Sequence, residues 1–335
     1  MAATLKDVAE RAGVSRSAVS RTFTPGASVS VKMRRKVEQA ATELGYHPNA
    51  LASSLTTGRT KLIGLVSDNF HNPIFLEVFD LFTRALQDQG LRPLLVNLSD
   101  EVDPENSVRM LRQYSVDGVV VASSTLPPSF AEAFRDAGVP VVHSFGRYAP
   151  EPRVDVVGID NIECGRIAAR SLLDRGYRRV GFMGGPESAS STQDRLRGFL
   201  DVIAAEPDAI GSHSFAEAYS FDAGRKEMQR LIAATPAEAY FCGDDVISIG
   251  ALSAITECGL SVPGDIGIIG LNDMEMAGWE NIALTTIKQP ITQIVDTSIA
   301  LVVAMLDDAD RRPEARIFPC ELIERGTLRP RQTPK

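Results

Sequence analysis

The chain has 335 residues, 44% hydrophobic and 23% charged, which is enough for a sizeable core and two to three domains. Its longest apolar run, 299–306, is too short to cross a bilayer, and the first ten residues lack the basic-then-apolar order of a signal peptide, so a cytoplasmic protein without membrane association is expected. The net charge of −8 is unevenly spread: residues 1–61 carry ten basic and four acidic side chains, a net +6, leaving −14 on an acidic body that repels phosphate, so any nucleic-acid contact belongs to the first segment.

In that segment Thr4 caps a first helix whose apolar face is Leu5, Val8, Ala9 and Ala12, and Asp7 stands where a capping box needs a carboxylate. Gly13 suits a left-handed turn. Ser15 caps a second helix with Ala18 and Val19 inward, and small Ala9 lets the two helices cross closely. This is the pattern of a helix-turn-helix. A third helix fits 31–44, with Val37, Ala40, Ala41 and Leu44 inward and Gly45 as its stop. In such a motif the second helix enters the major groove. Arg16 has the fork to read guanine, and Ser17 discriminates less. Ser15 and Ser20 reach phosphates or bases, and Arg21 suits either. A helical protein-interaction domain with a solvated basic face has the same pattern.

Beyond residue 61, "LIGLVS", "PLLVNL", "GVVVAS" and "PVVHSF" read as short buried strands, with helices near 74–89, 105–114 and 129–137. A second series, "VVGI", "RVGFMG", "AYFCG" and "IGIIG", alternates with helices near 162–175, 192–205, 222–233 and 246–258. The alternation predicts an α/β body of two parallel-sheet lobes, with a ligand cleft outside the carboxyl ends of the strands. "GDIGIIG" (264–270) has its glycines within a strand at GxxGxxG spacing, so no dinucleotide loop is expected. Strand ends supply the candidate cleft residues. Phe75 either stacks on a ligand or belongs to the core. Asp160, Asp244 and Asn272 either face the cleft or cap helices. Arg195 follows the polar loop "GGPESASSTQD". The histidines (His47, His71, His143, His213) join no nucleophile signature, adjacent His143 and Ser144 are no triad, and no Walker or zinc spacing occurs, so catalysis is not expected. Cys164, Cys242, Cys258 and Cys320 are scattered without C-x-x-C spacing and read as free thiols, with no metal or cofactor.

The segments "TLKDVAERAGVS", "AVSR", "VEQAATELGYHPNALASSL", "TKLIGL", "VDGVVV", "GRIAARSLLDRGYRRVGFMGGP", "RLRGF", "FCGDD", "IIGLND" and "LTTIKQP" follow one another in that order. In order and spacing the chain resembles the lactose-repressor/galactose-repressor (LacI/GalR) family of bacterial transcription regulators, over roughly residues 3–328. The resemblance implies an all-α helix-turn-helix domain at 1–47 and a hinge at 48–60. It implies a two-lobed core at 61–330, similar to periplasmic sugar-binding proteins, that binds an effector and dimerises. The N-lobe would take about 61–160 plus 291–320, and the C-lobe about 161–290 plus 321–330, with three crossings between them. Pro48 would end the third helix. Tyr46 and Asn49 would hold phosphates. Residues 49–57 would form a hinge helix only when two copies pack on DNA, with Ala50 and Ala52 allowing close pairing and Leu55 wedged into the minor groove. Arg16 and Ser17 fall where the family varies most and would set operator identity.

In the core the resemblance assigns effector contacts to Arg195, through paired hydrogen bonds, to Tyr219 as a stacking ring, to Asp244 and Asn272 as polar partners, and to Asp160 at a crossover. The chain departs from the pattern twice. Asn272 replaces the usual Asp, and Ala189 stands where purine-binding relatives carry a long basic side chain, which counts against a purine effector. Carboxylate, guanidinium and aromatic faces together suit a sugar or sugar derivative. The function implied is a homodimeric repressor on a pseudo-palindromic operator of double-stranded DNA, controlled by a carbohydrate effector. A transport system's solute-binding protein is the alternative, and the basic head argues against it. The C-terminal "ERGTLRPRQTPK" has no leucine heptad, which favours a dimer without a coiled-coil tetramer.

Overall fold

The computed structural model describes residues 3–24, 26–48, 54, 58–98, 103–308 and 311–331. The expected hinge helix, with Asn49 and Leu55, falls almost wholly outside the described residues. The chain divides into two compact units, Met1–Lys61 and Leu62–Lys335.

In the first unit, α1 (Leu5–Ala12), α2 (Arg16–Phe23) and α3 (Val31–Leu44) form a small helical domain. Each helix begins at a side-chain cap. Thr4 closes a capping box with Asp7, whose carboxylate accepts from the Thr4 N–H at 2.8 Å, and Ser15 and Ser30 cap the other two helices. Gly13 joins α1 to α2 at φ +63°, where a Cβ would be strained. Val8, Val19 and Val37 are fully buried at the centre, each worth about 1.5–3 kcal/mol of transfer free energy. Two details differ from the periodicity. Thr22 is buried where Ala18 is only half-buried, and Leu44 is 36% exposed. The chain turns back at Gly45, and the Tyr46 ring packs 5.9 Å from that of Phe23, so Tyr46 takes the place at the core edge that Leu44 was expected to fill.

The second unit starts with β1 (Leu62–Ser67), α4 (Ile74–Asp88), β2 (Arg92–Asn97), α5 (Pro104–Gln113), β3 (Gly118–Ala122), α6 (Pro128–Asp136), β4 (Val141–Ser144) and β5 (Asp155–Ile159). It continues with α7 (Asn161–Leu173), β6 (Arg179–Gly184), α8 (Ser190–Ala204), β7 (Ile210–Phe215), α9 (Phe221–Ala233), β8 (Ala239–Cys242), α10 (Asp245–Glu257), β9 (Gly267–Asn272) and β10 (Thr285–Lys288). It ends with α11 (Ile291–Asp307), β11 (Ala315–Phe318) and β12 (Glu321–Ile323). One sheet has the order β11-β5-β4-β3-β1-β2, all parallel. The other runs β12-β10-β9-β8-β6-β7, parallel except for β12 against β10. The chain passes between the lobes after β5, after β10 and between β11 and β12.

Three features depart from the sequence pattern. "VVGI" lies in β5 and pairs with β4, so it completes the first sheet instead of opening the second. Strand β7 carries no apolar signal because it is an edge strand with four of six residues exposed. Strands β10, β11 and β12 are too short for a period-2 signal to register.

Val66, Val119, Val121, Phe130 and Phe134 fill one face of the first sheet. Met183, Tyr240, Ile247 and Ile268 fill one face of the second. The other faces merge into a single cluster, from Phe82 and Val302 through Cys164 and Phe199 to Phe241 and Ile287. In the C-lobe the helices pack backbone to backbone. A Cβ on Gly165 or Gly198 would stand 2.0 Å from the Arg195 carbonyl or 1.8 Å from that of Ile162, closing α7 on α8, and Gly224 and Gly250 join α9 to α10 in the same way.

Candidate functional site

Two sites emerge, one in each unit. In the helical domain Ser15, Arg16, Ser17, Ser20 and Arg21 are all exposed, while Val19 and Thr22 are buried. The 3.6-residue period puts Arg16, Ser17, Ser20 and Arg21 on one side of α2. Ser15 is also the cap: its Oγ accepts from the Ala18 N–H at 3.2 Å and lies 2.9 Å from Ser17 Oγ. The Arg21 Nε donates to the Ser17 carbonyl at 3.4 Å, which lays its side chain along the helix. The acidic groups of the domain are already engaged. Glu10, Glu38 and Glu43 pair with Lys6, Arg34 and Arg11, and the Thr4 hydroxyl holds the Asp7 carboxyl below its usual pKa. Arg16, Arg21, Lys32, Arg35 and Lys36 have no ion pair among the described residues. The exposed side of α2 is therefore cationic and rich in donors. Tyr46 is half-buried against Phe23.

In the core, strand ends from both lobes converge on one cleft. Asn69 and Asn72 follow β1, Ser124 follows β3, and Phe145 follows β4. From the C-lobe come Arg195 on α8, Tyr219 after β7, Asp244 after β8 and Asn272 at the end of β9, with Gln289 at a crossover. Ile74, Phe75, Val78 and Ile291 supply the apolar walls. The cleft encloses about 30 Å³ of space for water centres. That holds roughly two waters and is far below the roughly 300–1,000 Å³ of ligand pockets. A sugar needs the lobes to part.

A polar chain closes the cleft. Asp244 Oδ2 accepts from Asn72 Nδ2 of the N-lobe at 2.8 Å and from Asn272 Nδ2 at 2.8 Å. Its Oδ1 accepts from the Val246 N–H at 2.8 Å. Gln289 donates in turn to Asn272 Oδ1. A carboxylate at 272 would stand against Asp244 at hydrogen-bond distance, so the amide is what this arrangement requires. Burial raises the Asp244 pKa, opposed by these bonds and by the Arg195 charge. Asp245, fully buried beneath, is pushed up to about 7, chiefly by burial and further by the Asp244 charge, against hydrogen bonds from Thr286 and the Met274 N–H. At the rim a second inter-lobe link joins Arg147 to Asp194 at 2.6 Å. Phe145, Asn272 and Asp273 all have positive φ (+63°, +129° and +60°), so backbone strain gathers at the cleft.

Of the six residues named for the effector, Phe75, Arg195, Tyr219, Asp244 and Asn272 line this cavity. Phe75 is also a core residue, 6% exposed and edge-on to Phe145. Arg195 donates from Nε to Asn161 Oδ1 at 2.8 Å and from Nη1 to the Gly243 carbonyl at 2.6 Å. Three of its five N–H groups remain for a ligand. Tyr219 is fixed by its hydroxyl, 2.8 Å from Thr192 Oγ1, and its ring lies so close to Gly185 that a Cβ there would be 2.4 Å away. Asp160 does not line this cavity, and its carboxylate accepts from the Glu163 N–H at 3.0 Å as the cap of α7. The adjacent His143 and Ser144 point apart: His143 Nε2 lies 3.1 Å from the Ser123 carbonyl, and Ser144 donates to Ser298. Burial pushes the His143 pKa down to about 4, so it is neutral near pH 7. Asn69, Asn72, Ser124, Phe145 and Gln289 went unnamed in the sequence. The strand-end rule that found Asp244 reaches the first four, whereas Gln289 follows β10, a strand too short to show in the sequence.

Residues 4–49 match the model of bacterial regulatory proteins of the lacI family, and residues 169–328 match a periplasmic binding protein-like domain. The chain is 30% identical to the HTH-type transcriptional repressor CytR of Escherichia coli strain K12, over 98% of this chain and 97% of that one. Among solved structures it is similar to the lac repressor dimer bound to operator and the anti-inducer ONPF, with a TM-score of 0.86 and 26% identity over 98% of this chain and 100% of the other. It is also similar to the transcriptional regulator CelR in complex with cellobiose, with a TM-score of 0.71 and 27% identity over 97% and 99%. With a basic helix-turn-helix and a two-lobed core matched along nearly their whole length, the chain belongs to the lacI family of bacterial regulatory proteins.

Proposed function

We propose that this protein is a cytoplasmic repressor whose operator affinity is set by a neutral, polyhydroxylated effector held between the core lobes. Two copies present paired α2 helices to a pseudo-palindromic operator. Arg16 and Ser17 read base edges, Ser15, Ser20, Arg21, Tyr46 and Asn49 hold the backbone or bases, and Leu55 enters the minor groove.

The observation that carries the reading is the cleft lining. Amides from both lobes, three aromatic rings and a guanidinium surround a carboxylate already balanced by hydrogen bonds. Such a lining offers little to a charged ligand and much to hydroxyl groups on an apolar ring. The cellobiose complex of a similar regulator supports the carbohydrate class. The effector acts by binding one lobe angle better than the other, and a coupling of about 1–3 kcal/mol changes DNA affinity about 5- to 150-fold.

The test has two stages. Purified full-length protein is first used to select genomic duplexes, and one enriched pseudo-palindrome is expected. Sugars are then screened by thermal shift, since an effector raises the melting temperature by mass action, and hits are assayed for altered operator affinity. Failure to enrich any duplex, with or without cell extract, refutes the DNA assignment. A ligand that raises Tm without changing operator affinity refutes the coupling.

A further inference from the structure

Helix α1 follows the usual charge rule, with Asp7 in its first turn, but α3 does not. The first turn of α3 holds Lys32 and Arg34 and no acid, at an end where the helix dipole is already positive and favours carboxylates. Lys32, Arg35 and Lys36 are exposed, but Arg34 is half-buried. Its Nη1 donates to the Thr22 carbonyl in the last turn of α2 at 2.8 Å. Glu38, one turn further along α3, lies 4.0 Å from the same nitrogen. A cation misplaced for its own helix is thus well placed for the negative end of its neighbour.

That neighbour is short. Helix α2 has eight residues, and helices under about 12–15 residues are marginal on their own in water. Its own side chains engage several of its carbonyls: Thr22 Oγ1 donates to Ala18 and Thr24 Oγ1 to Ser20, both at 2.9 Å, and Arg21 Nε donates to Ser17. Those bonds are local and travel with the helix. The Arg34 bond alone, among the described residues, is a hydrogen bond that reaches α2 from another helix. Buried Val19 and Thr22 otherwise hold α2 against its neighbours. Apolar burial is non-directional, so it sets how close α2 lies but not its pitch. A hydrogen bond fixes direction as well.

We propose that Arg34 is a positioning residue for operator recognition: by holding the Thr22 carbonyl it sets the angle of α2, and so the register in which Arg16 and Ser17 meet base edges. It acts through α2 and not by touching DNA. The inference rests on the proposed reading of bases by α2. Base discrimination depends on paired hydrogen bonds in fixed geometry, whereas attraction to phosphate is largely sequence-independent. Loosening α2 therefore lowers discrimination and leaves the number of neutralised phosphates as it was. A direct phosphate contact from Arg34 has the opposite signature, a weakening that is uniform across sequences and a smaller salt slope.

The test uses full-length protein with Arg34→Met, which keeps an unbranched apolar stem but no donor, and Arg34→Lys, which keeps the charge and replaces the planar fork by a point donor. Hydrogen exchange of the free proteins comes first. In Arg34→Met the segment 17–24 should exchange several-fold faster, with 5–12 and 36–44 as in wild type. Affinities are then measured over a range of salt for the duplex enriched by genomic selection and for a scrambled duplex. The operator-to-scrambled ratio should fall about 10-fold in Arg34→Met, from the loss of a bond to a charged donor, at an unchanged salt slope. Arg34→Lys should fall between Arg34→Met and wild type. A slope reduced by about one per copy at an unchanged ratio makes Arg34 a phosphate contact and overturns the proposal. A smaller active fraction with wild-type ratio in the molecules that bind makes it a purely structural residue, with the same consequence. If 5–12 and 36–44 also lose protection in Arg34→Met, Arg34→Lys decides: an intermediate ratio at the wild-type slope supports the role, and a wild-type ratio overturns it. If no duplex is enriched, the proposed function falls and this role with it, whereas an enriched duplex bound alike by all three proteins overturns this role alone.

Discussion

The Asn72–Asp244 bond makes the lobe angle measurable without knowing the effector. It is buried and spans the two lobes at 2.8 Å. A hydrogen bond to a charged group contributes about 1.5–3 kcal/mol net, so Asn72→Ala should shift the closed-to-open ratio about 10- to 150-fold toward open. The rim pair Arg147–Asp194 offers less resistance, because the arginine is 47% exposed and such pairs are worth about 0–1 kcal/mol. Asn72→Asp is the sharper perturbation. It replaces the donor by a second carboxylate facing Asp244, a repulsion on the order of 4 kcal/mol at an effective dielectric near 20. Carboxylates this close share a proton, so acidification restores a donor between them. Closure in Asn72→Asp should be lost near neutral pH and return as the pH falls, whereas Asn72→Ala should stay open throughout. Small-angle scattering reads the radius of gyration, and hydrogen exchange reads the segments around 72–78 and 243–247. Wild-type scattering and exchange in both variants at neutral pH would refute the latch.

The remaining expectations follow from other parts of the molecule. Arg16→Ala should relax selection at one base pair and cost about 1–3 kcal/mol there, and a selection profile identical to wild type would argue against base reading. Operator affinity should fall steeply with salt through counterion release, a slope whose best-known example is itself a family member, and replacing Lys32 or Lys36 by Gln should flatten it if they meet phosphate. Folded Asp245 keeps its proton up to about pH 7 while an unfolded aspartate loses it near its ordinary pKa of 3.8, so its contribution to stability is present at low pH and lost as the pH rises through that window. Asp245→Asn should flatten the wild-type decline of Tm between about pH 4 and 7, and parallel curves would contradict the raised pKa. Gly198→Ala drives a methyl into the Ile162 carbonyl and should cost at least the roughly 1–3 kcal/mol of an overpacked core, checked by denaturant unfolding.

Much of the fold was legible because its signals are local. Thr4, Gly13 and Ser15 act within one helical turn of their own positions, and strands such as "GVVVA" are buried on both faces and read as continuous apolar runs. β7 was not legible, because a strand at a sheet edge has no need of apolar residues on its outer side. Leu44 misled because periodicity cannot see Tyr46 folding back from beyond the helix end. In the cleft, strand ends pointed to Asp244 and Asn272, but the role of Asn72 depends on a partner 172 residues away. Asp160 has the same strand-end address as Asp244. Both carboxylates cap their own helices, and what separates the two is the second oxygen of Asp244, which accepts from Asn72 and Asn272 across the cleft.

The glycine seams of the C-lobe bear on how the core can move. With α7 clenched on α8 and α9 on α10 at backbone distance, no slack remains for those layers to shear past one another. The lobe is a stiff plate, and any response to a small molecule must be taken up at the three straps that join it to its neighbour. Three side-by-side straps permit swinging about a common axis and resist sliding or twisting. A stimulus that reaches the cleft is thereby reduced to a single angle.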